Sequence, residues 1–177
     1  RYTKEEDLSG NVTIHVCAKP GEKISGKVNI PAKVAMGDMA YTVTVIDANA
    51  FADQTELTYV TLPKTITNIG NKAFAGCTAL EGMKFKAKIA PEAAEDAWKG
   101  AGTEDFTILT PKNARDYYNI KKISGATVRP ETDAEHEHDM QKFEAKAPTC
   151  TQPGTIEYYI CRDCDKVYAD EDGKECI

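Results

Sequence analysis

Four residues near the C-terminal end of the sequence have the types and spacing of a zinc site. A Cys-x-x-Cys pair can present two thiolates to one ion, and a separate cysteine and histidine can complete a tetrahedron. The four residues are His138, Cys150, Cys161 and Cys164. Because every position would be filled by protein, such a site is closed, and its role is structural rather than catalytic. His136 is an alternative histidine ligand.

Disulfides are the competing interpretation of the same segment, and an extracellular location favours them. The pairs Cys150–Cys161 and Cys164–Cys176 would use all four cysteines, although sequence alone does not assign connectivity. A redox Cys-x-x-Cys is a third interpretation, but the βαβ pattern that usually surrounds one is missing. Zinc or disulfides would hold together a segment too small to be stable on apolar burial alone.

Other polar residues give weaker indications of chemistry. His15 and Cys17 lie two apart on a predicted strand and share a face, but no orienting third group or oxyanion hole is evident. Cys77 occupies an apolar position and is predicted to be a small buried hydrophobic residue. The acidic stretch around Gly173 does not fit a calcium loop, because Tyr168 stands where the first aspartate is required.

Charge is distributed unevenly along the 177 residues, which include 22 Lys and Arg, 28 Asp and Glu, and a net charge of −6. Residues 135–177 contain 11 of the acids and 5 of the bases, so residues 1–134 contain 17 of each. A net-acidic chain without a basic stripe is not expected to bind nucleic acid. No run of about 18 apolar residues is present, so no membrane-spanning helix is predicted.

The N-terminal part of the chain is organised around a unit that occurs twice between Val45 and Phe85. The aligned pairs are Ile46 and Ile69, Ala50 and Ala73, Phe51 and Phe74, Leu57 and Leu80, and Val60 and Met83. Each apolar position therefore recurs 23 residues later, a period typical of a solenoid. No unit can bury its apolar face alone, so neighbouring units must supply the core.

Each repeated unit has two halves. Residues 60–62 alternate in polarity and precede Pro63, which cannot continue a ladder, so this half is predicted to be a strand. Residues 50–57 are predicted to form one or two short helical turns. Stacked units of this kind predict an α/β repeat, with a parallel sheet on one face and short helices on the other.

The flanking segments are predicted to cap this solenoid. Alternation at residues 12–16 predicts a strand, and a turn at residues 36–39 leads into a hairpin strand at residues 41–45. Trp98 occupies the Phe position of a degenerate third unit, and residues 113–120 are predicted to be a closing helix.

Changes in composition predict three regions. Residues 1–120 form the repeat domain with its N-terminal hairpin. Residues 121–134 have a Ser-Gly pair, an isolated proline and no periodicity, and are predicted to be a linker. Residues 135–177 are predicted to be a small β-rich module stapled by its cysteines and histidine.

The repeated unit resembles the BspA-type leucine-rich repeat, whose pattern is roughly I-x-x-x-A-F-x-x-C-x-x-L-x-x-V-x-L-P. The second unit matches seven positions of it, with Met83 and Phe85 as mild departures, and Gln54 replaces the cysteine in the first. The resemblance implies a short right-handed leucine-rich-repeat solenoid over about residues 10–120. The C-terminal segment resembles small modules on surface proteins of anaerobic bacteria. Both resemblances imply an extracellular or cell-surface location.

The resemblance implies a non-enzymatic bacterial protein that recognises a host or bacterial surface protein, or a glycan, through the repeat face. Tyrosines are candidate contacts because each offers a large contact area at low entropic cost. The candidates are Tyr41, Tyr59, Tyr117 and Tyr118. The alternative function is a spacer or accessory segment of a larger secreted hydrolase, which the full-length gene would reveal by encoding a catalytic domain.

Overall fold

The structure is a computed structural model, and it describes residues 1–6, 12–17, 21–132, 140–148, 153–162 and 166–172. The chain divides into two compact units. The first holds residues 1–110 and 114–130, and the second holds residues 111–113 and 131–177. The repeats lie in the first unit, and the Cys/His segment lies in the second.

The described part of the first unit contains two sheets and one helix. Its strands are β1 (Tyr2–Glu6), β2 (Val12–Val16), β3 (Ser25–Asn29), β4 (Lys33–Met36), β5 (Met39–Ile46), β6 (Glu56–Leu62), β7 (Asn68–Ile69), β8 (Gly82–Phe85), β9 (Glu92–Ala93), β10 (Thr107–Thr110) and β11 (Thr127–Pro130). The helix is α1, Tyr118–Ser124.

One sheet is entirely parallel and has the order β11-β10-β8-β6-β3. We call it the parallel sheet, and we call its solvent side the outer face. Alternate apolar residues of its three inner strands, β6, β8 and β10, point into the core and are at most 1% exposed. These are Val60, Leu62, Met83, Phe85 and Ile108. The parallel sheet predicted from the repeat is therefore present.

The second sheet has the order β1-β2-β5-β7-β9, with β4 paired to β5. β2, β5, β7 and β9 run parallel to one another, whereas β1 is antiparallel to β2. β4 and β5 form the predicted hairpin, and Gly37 supplies the positive φ of 64° at its turn. Each unit of the solenoid thus contributes a strand to both sheets.

Aromatic rings stack along the core in consecutive units. The rings of Phe51 and Phe74 lie 5.2 Å apart and nearly parallel, and those of Phe74 and Trp98 lie 5.9 Å apart. The Nε1–H of Trp98 also donates to the sulfur of Met83 at 3.2 Å. Trp98 therefore fills the Phe position, as the degenerate third unit predicts.

The prediction of short helices between the two strands of each unit is wrong, because these segments are turns. Left-handed backbone recurs there at equivalent positions, Asn49 with Lys72 and Asp53 with Gly76, with φ values between 53° and 72°. A right-handed helix does not accommodate left-handed residues at this spacing.

Backbone N–H groups in these turns donate to the next unit along the solenoid. Phe51 N donates to Ala73 O at 2.7 Å, and Phe74 N donates to Ala97 O at 2.8 Å. This turn ladder satisfies buried backbone groups that helical hydrogen bonds would otherwise satisfy. Contacts between units thus replace local helical structure.

The closing helix lies further along the chain than residues 113–120. α1 ends at Ser124, and the φ of 69° at Gly125 and its N–H bond to the carbonyl of Lys121 form a left-handed C-cap. β11 then pairs in parallel with β10, so part of the predicted linker extends the solenoid. Pro130 obscured this strand in the sequence, although proline is compatible with the end of an edge strand.

The described part of the second unit is an antiparallel sheet. Its strands are β12 (Met140–Phe143), β13 (Tyr158–Cys161) and β14 (Val167–Tyr168). Phe143 and Tyr158 stack with their ring centroids 4.9 Å apart, and Lys142 Nζ lies 2.9 Å from a carboxylate oxygen of Glu157. This segment is therefore β-rich.

Candidate functional site

The outer face of the parallel sheet presents ten side-chain positions in two rows that cross all five strands. The first row is Lys27, Tyr59, Gly82, Thr107 and Thr127, and the second is Asn29, Thr61, Lys84, Leu109 and Arg129. Members of a row are direct partners on neighbouring strands, which lie about 4.8 Å apart. The fold thereby gathers residues from five segments onto one surface.

Tyr59 is the aromatic residue of the outer face and is half-buried. One edge of its ring rests on Gly82, because a Cβ there would be 2.5 Å from Cε2 and 2.8 Å from Cδ2 of the ring. The Nζ of Lys27, on the neighbouring strand β3, lies over the ring at 6.0 Å from its centroid. The missing side chain at Gly82 is what allows the ring to lie against the sheet.

Tyr41 and Tyr118 do not join Tyr59 on the outer face. Tyr41 lies on β5 in the second sheet, where its ring centroid is 5.2 Å from Lys4 Nζ. Tyr118 begins α1 and is 77% exposed. The tyrosines predicted to form one contact surface therefore lie on different faces.

Tyr117 is buried, so the prediction that it is an exposed contact residue is wrong. Its hydroxyl donates to the carbonyl of Ala87 at 2.8 Å, and its ring packs edge-on against Phe85. Burial also raises the pKa of the Tyr117 phenol. Two adjacent tyrosines look alike in sequence, and only the path of the chain into α1 decides which of them faces the core.

His15 takes part in a polar cluster that joins two units. Its Nδ1 lies 2.7 Å from Asp47 Oδ1, and its Nε2 lies 3.2 Å from Thr13 Oγ1 and 3.5 Å from a Glu5 carboxylate oxygen. Asp47 is the orienting group that was not evident from the sequence. Among the described residues no hydrogen bond joins His15 to Cys17, which lines a separate cavity of about 180 Å³. The arrangement therefore links units and does not pair a thiol with its base.

The described parts of the chain contain no group of three or more His, Cys, Asp or Glu side chains that could hold a metal ion. No helix within them is long and apolar enough to cross a membrane.

Part of the solenoid matches a known protein family. Residues 38–119 match a family model described as "BspA type Leucine rich repeat region (6 copies)". Residues 38–119 are a BspA-type leucine-rich repeat region. The predicted resemblance is thereby confirmed for this part of the chain. The search of curated proteins found no match.

Three solved structures are similar to this chain. A leucine-rich repeat protein from Bacteroides capillosus is 25% identical, with 74% of this chain and 94% of that protein covered and a TM-score of 0.46. One from Bacteroides ovatus is 23% identical, with coverages of 73% and 36% and a TM-score of 0.41. A leucine rich cell surface protein from Faecalibacterium prausnitzii is 21% identical, with a coverage of 73% and a TM-score of 0.38, and this chain spans 30% of its length.

The cysteine position of the BspA-type repeat connects each unit to the one before it. The Sγ–H of Cys77 donates to the carbonyl of Phe51 at 2.9 Å. Gln54, which replaces this cysteine in the preceding unit, accepts a bond from Ile24 N at 2.7 Å and donates to Glu22 O at 3.3 Å. The departure from the pattern therefore keeps the same connection through a longer side chain.

The BspA-type repeat region should lose stability in mild alkali through Cys77. Burial raises the pKa of this thiol from 9.0 to about 11. Between these values the unfolded chain loses a proton that the folded chain retains, so the free energy of unfolding falls as pH rises. Urea titrations below pH 9 and again near pH 10 should show a larger loss for wild type than for Cys77→Ala. Equal losses would contradict this.

The predicted zinc ligands His138, Cys150 and Cys164 lie outside the described residues, as do His136 and Cys176. Cys161 is described, and it is fully buried at the end of β13. A buried thiol at the end of a strand is compatible with either a metal ligand or a half-cystine.

We propose that His138, Cys150, Cys161 and Cys164 bind one structural zinc ion. Native mass spectrometry of the full chain should show one zinc that a chelator removes, and the unfolded protein should then contain six reactive thiols. Loss of the metal should also reduce the β-sheet signal of the second unit, because small metal modules fold with their ion. No zinc, with two reactive thiols, would show that disulfides replace it.

Proposed function

We propose that this chain is a non-enzymatic bacterial surface or secreted protein that recognises a protein or glycan partner through the outer face. The observation that carries the proposal is the outer face itself, with its nine side chains and Gly82 presented by five hydrogen-bonded parallel strands. The BspA-type repeat region, which resembles repeats of bacterial surface proteins, supports the location.

Recognition by such a face depends on pre-organisation. The inward residues of the same strands are buried in the core, which fixes the backbone. The outward side chains therefore lose little conformational entropy when a partner binds. Repeat proteins use extended surfaces of this kind for binding. Affinity would therefore come from the placement of side chains, without any covalent step.

The proposal can be tested with one substitution on the outer face and one elsewhere. Thr61→Glu adds a bulky, negatively charged side chain to the second row, whereas Asn71→Glu makes the same addition on an exposed turn. Wild type and both variants would be applied to an array of purified extracellular proteins and glycans. Binding lost in Thr61→Glu and kept in Asn71→Glu supports the proposal. Binding equal in all three, or absent, would favour the spacer function.

A further inference from the structure

The outer face carries three cationic side chains and the aromatic ring of Tyr59, which lies against the sheet. Together these side chains indicate which class of partner the face would bind. We propose that it binds an anionic glycan, a sugar chain that carries carboxylate or sulfate groups at regular intervals. This inference rests on the proposed function, because it uses the same face. It adds the chemistry of the ligand and the side chains that would hold it.

The charges of the two rows have one sign. Lys27, Lys84 and Arg129 stand on β3, β8 and β11, and no acidic residue is among the ten. Successive cations are two strands apart, which corresponds to roughly 10 Å across the sheet. An extended glycan that carries its charge on every second sugar repeats over a similar length. The guanidinium of Arg129 donates to the carbonyl of Pro130 at 3.4 Å, and its positive charge also attracts a carboxylate or sulfate.

The two ends of the strands differ in charge. Exposed acids precede the strands or begin them, at Glu56, Glu81 and Asp105. Lysines follow β6 and β8 at Lys64 and Lys86, whereas β11 is followed by the buried Glu131. An anion would therefore be repelled from the beginnings of the strands and drawn toward the second row, where Lys84 and Arg129 lie.

The uncharged residues of the face suit a sugar. Sugar C–H groups pack on the negatively polarised face of an aromatic ring, and Tyr59 provides such a ring close to the sheet surface. Thr61 and Thr107 flank it with hydroxyls that can bond to sugar hydroxyls. The face is broad and crosses five strands, so an extended sugar chain can lie along it.

Binding of a hyaluronan oligosaccharide to the full chain, measured by calorimetry, tests the proposal. Hyaluronan carries one carboxylate on every second sugar, and dextran is the uncharged comparison. We expect hyaluronan to bind, dextran not to bind, and the affinity for hyaluronan to fall as salt is raised. Lys84→Gln and Arg129→Gln should each weaken binding about tenfold. Lys99→Gln removes the same charge from an exposed turn and should leave affinity unchanged.

Gly82→Ala tests the role of the ring without removing it. The new methyl would occupy the space of the ring edge, so Tyr59 must move off the sheet. A loss of hyaluronan affinity similar to that of Tyr59→Ala is expected, in variants whose melting temperatures confirm folding. Equal binding to polyglutamate or DNA would overturn the glycan in favour of any polyanion. No hyaluronan binding, with array binding still abolished by Thr61→Glu, would overturn this inference and leave the proposed function intact.

Discussion

Replacing Phe74 with alanine should lower the free energy of unfolding of the repeat unit by about 3–5 kcal/mol. Phe74 has no exposed surface, and its ring lies between those of Phe51 and Trp98 in the adjoining units. Its removal leaves a cavity that the two neighbouring rings cannot fill, because both are held in the core. The loss should therefore spread over three units and lower the stability of the solenoid as a whole.

Urea titration checks this result with two probes. The fluorescence of Trp98, the single tryptophan, reports the core next to the substitution, and far-ultraviolet circular dichroism reports all the sheets. Both should shift to lower urea together. Tyr118→Ala, at a 77% exposed aromatic residue, should change stability by less than about 0.5 kcal/mol. A fluorescence transition that moves while the dichroism transition stays in place would contradict the cooperative stack.

Gly70→Ala should cost about 2–3 kcal/mol although it adds a single methyl group. A Cβ at this position would lie 2.6 Å from Ala48 N and 3.0 Å from Asp47 C. Both contacts are with backbone of the adjacent unit, which cannot rotate away as a side chain can. The two units would have to separate, and the hydrogen bond from Gly70 N to Ile46 O would lengthen.

Ala94 provides the matched control for this substitution. It occupies the equivalent position of the next unit, where its N–H donates to Ile69 O at 3.0 Å. Ala94→Gly should therefore cost no more than about 1 kcal/mol, the usual effect of added backbone freedom. Thermal melts of the two variants give the comparison. A Gly70→Ala protein as stable as wild type would show that adjacent units approach less closely than described.

The repeat and its parallel sheet could be predicted from sequence because one apolar pattern recurs after 23 residues. Leu57 with Leu80 and Phe51 with Phe74 have the same surroundings in successive units, so their periodicity reports burial directly. The hairpin was equally predictable, since its turn at Gly37 is flanked by two alternating segments. These features depend on local pattern alone.

The turns and the outer face could not be predicted in the same way. Lys72 adopts a left-handed conformation that its side chain does not favour, because the hydrogen bonds of the next unit impose it. Lys27, Lys84 and Arg129 are far apart in the sequence, and strand register alone places them on one face. A chain without a basic stripe in its sequence thus acquires a cationic surface by folding.

Native-state hydrogen exchange most directly tests the central claim that the outer face is pre-formed on a cooperative stack of units. Amides of β6, β8 and β10 and those of the turn ladder, such as Phe51 and Phe74, should exchange with one free energy, equal to that of global unfolding. The claim would be contradicted if the β6 and β8 amides exchanged through separate local openings whose free energies lie below that of global unfolding. The strands of the face would then open independently of one another, and the stack would not be cooperative.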